Sequence, residues 1–367
     1  MTTFEVSARS RRGRFAVTAL LASAAAVLVL SAALAVFSSS SDEIGWDYRT
    51  GYLPAATAVR NGESPYPDPD DPGLDLRRAY VYPPQVAIAL VPLTEVSSDL
   101  GTFIVFLLSL AALCGALALV GVRDIRCYAA LLLWAPTWNS LITLNVSSAL
   151  ALGVAAMWRY RATLWPLALT LGALVSIKLF LAPLVAWVAL TRRASAAALG
   201  VCVALGLTVA AWAAIGFAGL ADYLDLLSRV EKQQTYALSS AAAELGVDTQ
   251  LARAFALAVG LGLVALAVYW TRRGDGRRGY AAAVAATLAM SPVVWLHYLT
   301  LLIAPLGVLR PRFSPLWLVP IVLWVSPRDE NGDGLQPFVP ALVVALLLAV
   351  MLTRRPSSTS AATAAPA

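Results

Sequence analysis

Long apolar runs recur along the chain, and they exclude a water-soluble globular fold. Hydrophobic residues make up 59% of the 367 residues and charged residues 13%, whereas soluble domains carry roughly 45–50% and about 25%. A run of about 20 apolar residues crosses the hydrocarbon core of a bilayer, where only helices and closed barrels satisfy their own backbone groups. We therefore predict an all-α polytopic membrane protein. Its net charge of +6 comes from loops that lie beside lipid and does not indicate a nucleic-acid-binding surface.

The apolar runs predict a bundle of about 10–12 transmembrane helices. They lie near residues 15–37, 100–121, 127–142, 146–158, 163–177, 179–191, 195–217, 251–270, 279–291, 297–309, 314–325 and 338–352. The first run follows a basic segment but is long enough to be a retained helix and not a signal peptide. Several runs are shorter than the roughly 17 residues of a full crossing, so the pairs that meet at Asn145, Lys178 and Trp295 are candidates for re-entrant or strongly bent helices.

Charged residues predict the orientation of the chain. If the N-terminus is cytoplasmic and the spans alternate, 18 of the 27 basic residues face the cytoplasm and only three of the 21 acidic residues do, as the positive-inside rule requires. We therefore expect both termini inside. The predicted organisation is a basic N-terminus (1–14), a transmembrane domain (15–355) with long outer loops at 38–99 and 218–250, and a disordered cytoplasmic tail (356–367).

An acidic segment rich in tyrosine and proline, from Gly45 to Gln85, lies in the first outer loop. Asp47 follows shortly after the first span, where a carboxylate either caps a helix that begins near Tyr48–Tyr52 or has a chemical role at the membrane surface. Four other carboxylates fit a solvated loop better than a cation site: Asp68, Asp70, Asp71 and Asp75.

Short motifs follow one another in an order that resembles a known family. Asp47-Tyr48 is followed by "YLPAATAVRNGESPY", by "YVYPPQVAIALVPL" leading back to the membrane, and by "SPVVWLHYLTLLIAP" near the end. This order resembles glycosyltransferase family 87, and the matching positions of the first loop are Asp47, Gly62, Tyr66, Tyr82, Pro83 and Pro84. The chain departs from the pattern in the middle, with "TLNVSS" in place of Gly-Gln-x-Asn and Lys178-Leu179 in place of Lys-Pro.

The resemblance implies a GT-C-type helical bundle in the bacterial plasma membrane. It implies transfer of mannose, or another sugar, from a polyprenyl-phosphate donor to a glycolipid or glycan acceptor on the extracytoplasmic face, with inversion. Membrane lipids are the other expected partners. No cofactor or metal is expected, because the phosphate of the donor is already a good leaving group and no nucleotide has to be held by a divalent cation.

In such a reaction Asp47 is the candidate catalytic base. The acceptor hydroxyl has to lose a proton as it attacks, and a carboxylate at the membrane surface can accept it. The aromatic rings of the same loop can stack on sugar rings. Tyr48, Tyr66 and Tyr82 are therefore candidates for binding the donor sugar or its phosphate.

Cationic and imidazole groups are candidates for the donor phosphate. Lys178 stands inside an apolar run, where a lysine costs roughly 2.5–3.5 kcal/mol on insertion scales, so it either binds phosphate or extends its ammonium to the outer interface. His297, the only histidine, can bind a phosphate or a sugar hydroxyl, or can be structural. Arg229 and Lys232 in the second outer loop are further candidates.

A transporter or flippase of lipid-linked sugars is the alternative class. Broken helices and a lysine within the membrane fit such a protein. Against it, the two halves of the chain show no internal repeat, and polar residues gather at one predicted face.

Neither a calcium loop nor a cysteine metal site is predicted. Asp329–Gly334 matches the opening of a calcium-binding loop, but Pro340 occupies the position of the bidentate glutamate. The three cysteines lack the spacing of metal ligands.

Overall fold

The computed structural model of the chain describes residues 16, 18–29, 31, 44–191, 193–230, 235–325 and 338–353. Every regular element in these ranges is helical, which confirms the prediction of an all-α polytopic membrane protein. Four segments with sequence predictions lie outside the described residues: 1–14, Lys232, Asp329–Gly334 and 356–367.

Sixteen α-helices are defined in the described ranges, and shorter π or 3-10 helices join several of them. The α-helices are α1 Thr18–Val29, α2 Leu53–Arg60, α3 Pro84–Leu90, α4 Ser98–Leu119, α5 Ile125–Leu132, α6 Ala135–Thr143, α7 Ser147–Arg159, α8 Leu164–Ile177, α9 Ala182–Leu190, α10 Ala194–Ala214, α11 Leu220–Val230, α12 Leu238–Glu244, α13 Thr249–Arg272, α14 Gly276–Met290, α15 Ile303–Leu309 and α16 Phe338–Thr353. The connecting helices are the π-helix Asp47–Tyr52 and the 3-10 helices Val91–Glu95, Leu179–Leu181, Leu296–Leu302 and Pro315–Val325.

Three of the described helices are each long and apolar enough to cross a bilayer: α4, α10 and α13, with 22, 21 and 24 residues. Most of the other predicted runs also form helices, whereas α2, α3, α11 and α12 lie outside every predicted run, in the two predicted outer loops. The run at 127–142 forms two helices, α5 and α6. Pro136 near the start of α6 has no N–H to bond the carbonyl of Leu132, so α5 ends there.

The backbone leaves helical geometry at each of the three predicted breaks. Leu144 adopts a left-handed conformation with φ 56°, and Asn145 then accepts the N–H of Ser147 on Oδ1 at 2.8 Å. Lys178 is extended, with φ −143° and ψ 108°, between α8 and the next 3-10 helix. Trp295 is likewise extended, with φ −90° and ψ 158°, before the 3-10 helix Leu296–Leu302.

Small residues let neighbouring helices approach closely, as is common in membrane bundles. A Cβ atom added at Gly172 of α8 would lie 2.5 Å from Val203 Cγ1 and 2.7 Å from the carbonyl oxygen of Gly200, both in α10. A Cβ atom at Gly279 of α14 would lie 2.7 Å from the carbonyl oxygen of Ala267 in α13. These pairs of helices therefore pack backbone against backbone.

One end of the bundle, which we call the arginine end, gathers Arg159, Arg161, Arg193 and Arg277. Burial, and then repulsion from the other three guanidinium groups, lower the pKa of Arg161. From here α7 and α8 run to the opposite end, which we call the loop end. It carries residues 44–97, whose Gln85 donates a hydrogen bond to the carbonyl of Ser176 near the end of α8.

Candidate active site

Buried tyrosines fasten residues 44–97 to the helices at the loop end. Six rings form one cluster with centroid distances between 5.1 and 6.2 Å, and they belong to Tyr52, Tyr66, Tyr80, Tyr82, Trp212 and Tyr223. Trp212 comes from α10 and Tyr223 from α11. The acidic segment is thus a folded lid on the bundle and not a free loop.

The tyrosine hydroxyls hold the backbone of this lid in place. Tyr66 donates to the carbonyl of Tyr82 at 2.9 Å, and Tyr80 donates to the carbonyl of Pro83 at 2.7 Å. Burial raises the pKa of both hydroxyls far above the ordinary tyrosine value, so both stay protonated as donors. Tyr66, predicted to bind the donor, lies within this packing, with its ring stacked on Trp212 at 5.5 Å.

A small polar cavity of about 70 Å³ lies between the lid and the helices. Its walls are formed by Asp47, Thr50, Gly51, Tyr52, Leu76, Arg77, Ala79, Val81, Tyr82, Val230, Trp295 and His297. Three of the predicted site residues, Asp47, Tyr82 and His297, therefore meet in one cavity although they are far apart in the sequence. We call this space the polar cavity.

Asp47 lies in the first turn of the π-helix, one residue beyond the N-cap position, which Trp46 occupies. The next residue, Tyr48, is fully buried, and its hydroxyl packs against Gly101 of α4. Successive side chains of a helix point in different directions. Asp47 thus reaches the polar cavity, whereas Tyr48 is not among the residues that line it.

His297 is 5% exposed, and its ring makes one hydrogen bond to a side chain among the described residues. Its Nδ1 lies 3.0 Å from Oδ1 of Asn139 on α6. Its Nε2 is buried and has no hydrogen-bond partner among the described residues. Asn139 was not selected from the sequence. Its position inside an apolar run could have indicated a role, because burying an amide is costly unless it is hydrogen-bonded.

Lys178 stands at the break between α8 and α9 and turns its ammonium toward tyrosine rings. Its Nζ lies 3.7 Å from the ring centroid of Tyr82 and 5.5 Å from that of Tyr298. Such cation–π contacts stabilise a desolvated ammonium. Lys178 does not itself line the polar cavity, but Tyr82, whose ring its ammonium contacts, does.

Among its described residues, the second outer segment contributes Val230 to the wall of the polar cavity. The guanidinium of the preceding Arg229 binds Asp225 at 2.7 Å and Asp70 at 2.9 Å. Arg229 thus ties α11 to the lid. The arginine that does line the cavity is Arg77, which the sequence analysis did not single out.

An apolar groove of about 410 Å³ runs beside the polar cavity. It is bordered by Tyr52, Gln85, Val86, Ala89, Leu90, Val105, Leu108, Ser109, Ala112, Leu144, Asn145, Val146, Ala149, Ala173, Ser176, Ile177 and Leu207. Tyr52 lines both spaces, so the two adjoin. At the rim, Leu108 of α4 is 63% exposed and Leu207 of α10 is 43% exposed, on helices long and apolar enough to cross a bilayer.

Within the described ranges, no group of three or more His, Cys, Asp and Glu side chains is arranged to hold a metal ion. The chemistry that the polar cavity itself offers is that of a carboxylate, an imidazole, a guanidinium and tyrosines. It suits the handling of hydroxyl and phosphate groups.

The fold and the site define a helical membrane protein with a polar cavity at one end of its bundle and an apolar groove beside it. The sequence model of glycosyltransferase family 87 matches residues 80–305, more than half of the chain. The chain belongs to glycosyltransferase family 87 and is a membrane glycosyltransferase. Comparisons with curated proteins and with solved structures give no match. The matched range contains Lys178 and His297 and begins after Asp47.

Proposed function

We propose that the protein transfers a glycosyl residue, in particular mannose, from a polyprenyl-phosphate sugar to a glycolipid or glycan of the cell envelope. The observation that carries this proposal is the junction of the polar cavity with the apolar groove at Tyr52. A lipid-phosphate sugar has the same two parts, a polar head and a long hydrocarbon chain. Its head would occupy the cavity at Asp47, and its chain would lie in the groove.

The proposed reaction is a single displacement with Asp47 as general base. The carboxylate takes the proton of the acceptor hydroxyl while the hydroxyl oxygen bonds to the anomeric carbon. The bond from that carbon to the phosphate oxygen breaks, and polyprenyl phosphate leaves with the electron pair. Because attack and departure occur on opposite faces of the sugar, the configuration at the anomeric carbon inverts.

The departing phosphate gains negative charge, and Lys178 is placed to stabilise it. The residue before it, Ile177, lines the groove, and the ring beneath its ammonium, Tyr82, lines the cavity. Lys178 itself lines neither space, but its ammonium lies against the ring of a cavity-lining tyrosine, which supports its assignment to the phosphate of a lipid-linked sugar. Arg77 supplies a second cation on the cavity wall.

We further propose that the polar cavity faces the extracytoplasmic side of a bacterial plasma membrane. The arginine end collects basic residues at the helix ends opposite the lid, and basic residues favour the cytoplasmic side. Membership of a glycosyltransferase family favours this function over the alternative of a transporter, and so does the position of the cavity at one end of the bundle.

The direct test is an assay with membranes that contain the protein, radiolabelled polyprenyl-phosphate-mannose and extracted envelope glycolipids. We expect label to enter a glycolipid or glycan only when the protein is present. Parallel reactions with polyprenyl-phosphate-glucose and with a lipid-phosphate pentose identify the sugar. Label transferred from a nucleotide sugar, but not from any lipid-phosphate sugar, would overturn the proposed donor.

A further inference from the structure

We infer that Asn139 is a positioning residue that fixes one tautomer of His297, so that Nε2 of the ring accepts a hydrogen bond from a hydroxyl group in the polar cavity. The identity of this hydroxyl as one of a sugar rests on the proposed function. The tautomer itself does not, because it follows from contacts within the protein.

The first step is the contact between the two side chains. Oδ1 of Asn139 lies 3.0 Å from Nδ1 of His297. An amide oxygen only accepts hydrogen bonds, and a neutral imidazole carries one proton. With the amide oriented so that Oδ1 faces the ring, the proton is on Nδ1, and Nε2 carries the lone pair.

The second step is the environment of Nε2. This atom is buried, has no hydrogen-bond partner among the described residues, and belongs to a side chain that lines the polar cavity. A buried acceptor without a partner costs free energy. A second proton on Nε2 would not relieve this cost within the protein, because it would turn the atom into a buried donor without an acceptor.

The third step is the kind of ligand that Nε2 can bind. A lone pair binds a group that donates a proton, which a sugar hydroxyl does and an ionised phosphate oxygen does not. His297 is thereby assigned to a hydroxyl, and the phosphate is left to Lys178. Asp47 is a second acceptor on the same cavity, so the cavity favours a group with several hydroxyls.

Helix packing and a hydrogen bond to its backbone hold Asn139 in place. Its helix, α6, packs against the 3-10 helix that carries His297, and its backbone carbonyl accepts the hydroxyl of Thr143 at 2.9 Å. The side chain thus approaches the ring from a fixed backbone. Loss of its amide oxygen would leave the ring free to carry its proton on Nε2.

The decisive measurement reads the tautomer by NMR, since His297 is the only histidine of the chain. The protein is labelled with ¹⁵N-imidazole histidine and purified through a tag without histidine. Nε2 is recognised by its strong couplings to both carbon-bound ring protons. We expect a pyridine-like ¹⁵N shift for Nε2 and a pyrrole-like shift for Nδ1, and the reverse assignment would overturn the inference.

Variants at the same position test the role of the amide. Asn139→Leu removes the acceptor oxygen at similar size, and we expect proton to appear on Nε2. Asn139→Asp keeps an acceptor oxygen and should keep the proton on Nδ1. A spectrum of Asn139→Leu identical to that of the wild type would show that Asn139 does not set the tautomer.

Kinetics separate positioning from folding. In the lipid-phosphate sugar assay, Asn139→Leu should lower kcat by about tenfold to a hundredfold, as expected for a misplaced group, with little change in KM for the donor. Asn139→Asp should recover most of this loss. Ser140→Ala is the control, because it removes a buried hydrogen bond from the same helix, to Ser148, and should retain wild-type turnover.

Equal losses in all three variants would indicate a structural role and overturn the inference. If the wild-type protein uses no lipid-phosphate sugar, the proposed function fails, whereas the NMR spectrum still decides the tautomer. The two failures are therefore distinguishable.

Discussion

Asp47, Lys178 and His297 come from three separate parts of the chain, and each lies where the backbone departs from a regular α-helix. Asp47 is in a π-helix, Lys178 in an extended break and His297 in a 3-10 helix. Irregular backbone within membrane depth is tolerated where it is buried in protein or lines a cavity. Asp47 and His297 line the polar cavity, and the ammonium of Lys178 lies against the ring of Tyr82, which lines it as well.

Replacement of Asp47 by asparagine is the sharpest test at the scale of residues. The amide keeps the shape of the side chain but cannot take the proton of the acceptor. General-base assistance is worth about 10² to 10⁴ in rate, or roughly 3–5 kcal/mol of barrier. We expect a folded protein with turnover reduced to that extent, measured in the membrane assay at matched expression.

Asp71→Asn is the matched control for this variant, since Asp71 is in the same lid and accepts the N–H of Gly73 in a turn outside the cavity. It should turn over like the wild type. Residual activity of Asp47→Asn above about a tenth of wild type would contradict the assignment of the base.

Replacement of Lys178 by methionine tests the phosphate site. Methionine keeps much of the length of the side chain and removes the charge, so the phosphate of the donor should lose its main electrostatic contact. We expect KM for the lipid-phosphate donor to rise by about tenfold or more, with a smaller effect on kcat unless the contact tightens in the transition state.

Arg229→Gln serves as the comparison for Lys178, because the guanidinium of Arg229 is already bound by Asp70 and Asp225. Its KM for the donor should stay near the wild-type value. If Arg229→Gln raised this KM and Lys178→Met did not, the phosphate would have been assigned to the wrong cation.

At the scale of elements, the contact of α8 with α10 holds the groove in shape. Ala173 and Ser176 of α8 and Leu207 of α10 all border the groove, and the two helices touch backbone to backbone at Gly172 and Gly200. A larger residue at this crossing would separate the walls. Stability and the shape of the groove therefore depend on the same glycines.

Gly172→Ala should destabilise the protein, because the added Cβ would lie 2.5 Å from Val203 Cγ1 and 2.7 Å from a backbone oxygen of α10 that cannot move away freely. Overpacking of this kind costs about 1–3 kcal/mol. The measurement is the Tm in detergent. Gly206→Ala on α10 is the control, because a Cβ there meets no atom within 4 Å and alanine favours the helix; a Tm as low as that of Gly172→Ala would refute the crowding explanation.

At the scale of the whole molecule, the two ends of the bundle differ in charge and in shape. One end gathers arginines and short loops, and the other carries the folded lid and the polar cavity. This difference in charge predicts the orientation in the membrane, since loops rich in arginine and lysine stay on the cytoplasmic side. The orientation in turn decides on which side of the membrane the transfer occurs.

Labelling of single cysteines tests this orientation. In a variant without Cys114, Cys127 and Cys202, we expect a cysteine at Glu63 in the lid to react with an impermeant reagent in intact cells. A cysteine at Arg273, at the arginine end, should react only after the membrane is opened. Both positions are exposed in the protein, so folding does not hide them, and the reverse pattern would place the cavity in the cytoplasm.

The sequence by itself predicted the all-helical fold and the three breaks between helices, since each depends on local chemistry, whereas it missed the helices α2, α3, α11 and α12 of the outer loops. Apolar length fixes the spans, proline and charge end them, and a lysine in an apolar run marks a break. It also supplied Asp47, Lys178 and His297 as candidates. None of these inferences requires knowing which helices are neighbours.

Only the tertiary structure decided which of these residues meet and how each is held. In the structure, the ring of His297 contacts the amide of Asn139, and the hydroxyl of Tyr48 packs against Gly101 in the core. The guanidinium of Arg229 binds Asp70 and Asp225. The tertiary structure also brought the polar cavity and the apolar groove together at one tyrosine. These arrangements depend on contacts between segments far apart in the chain, and such contacts are set by the packing of helices and not by the residues next to each site.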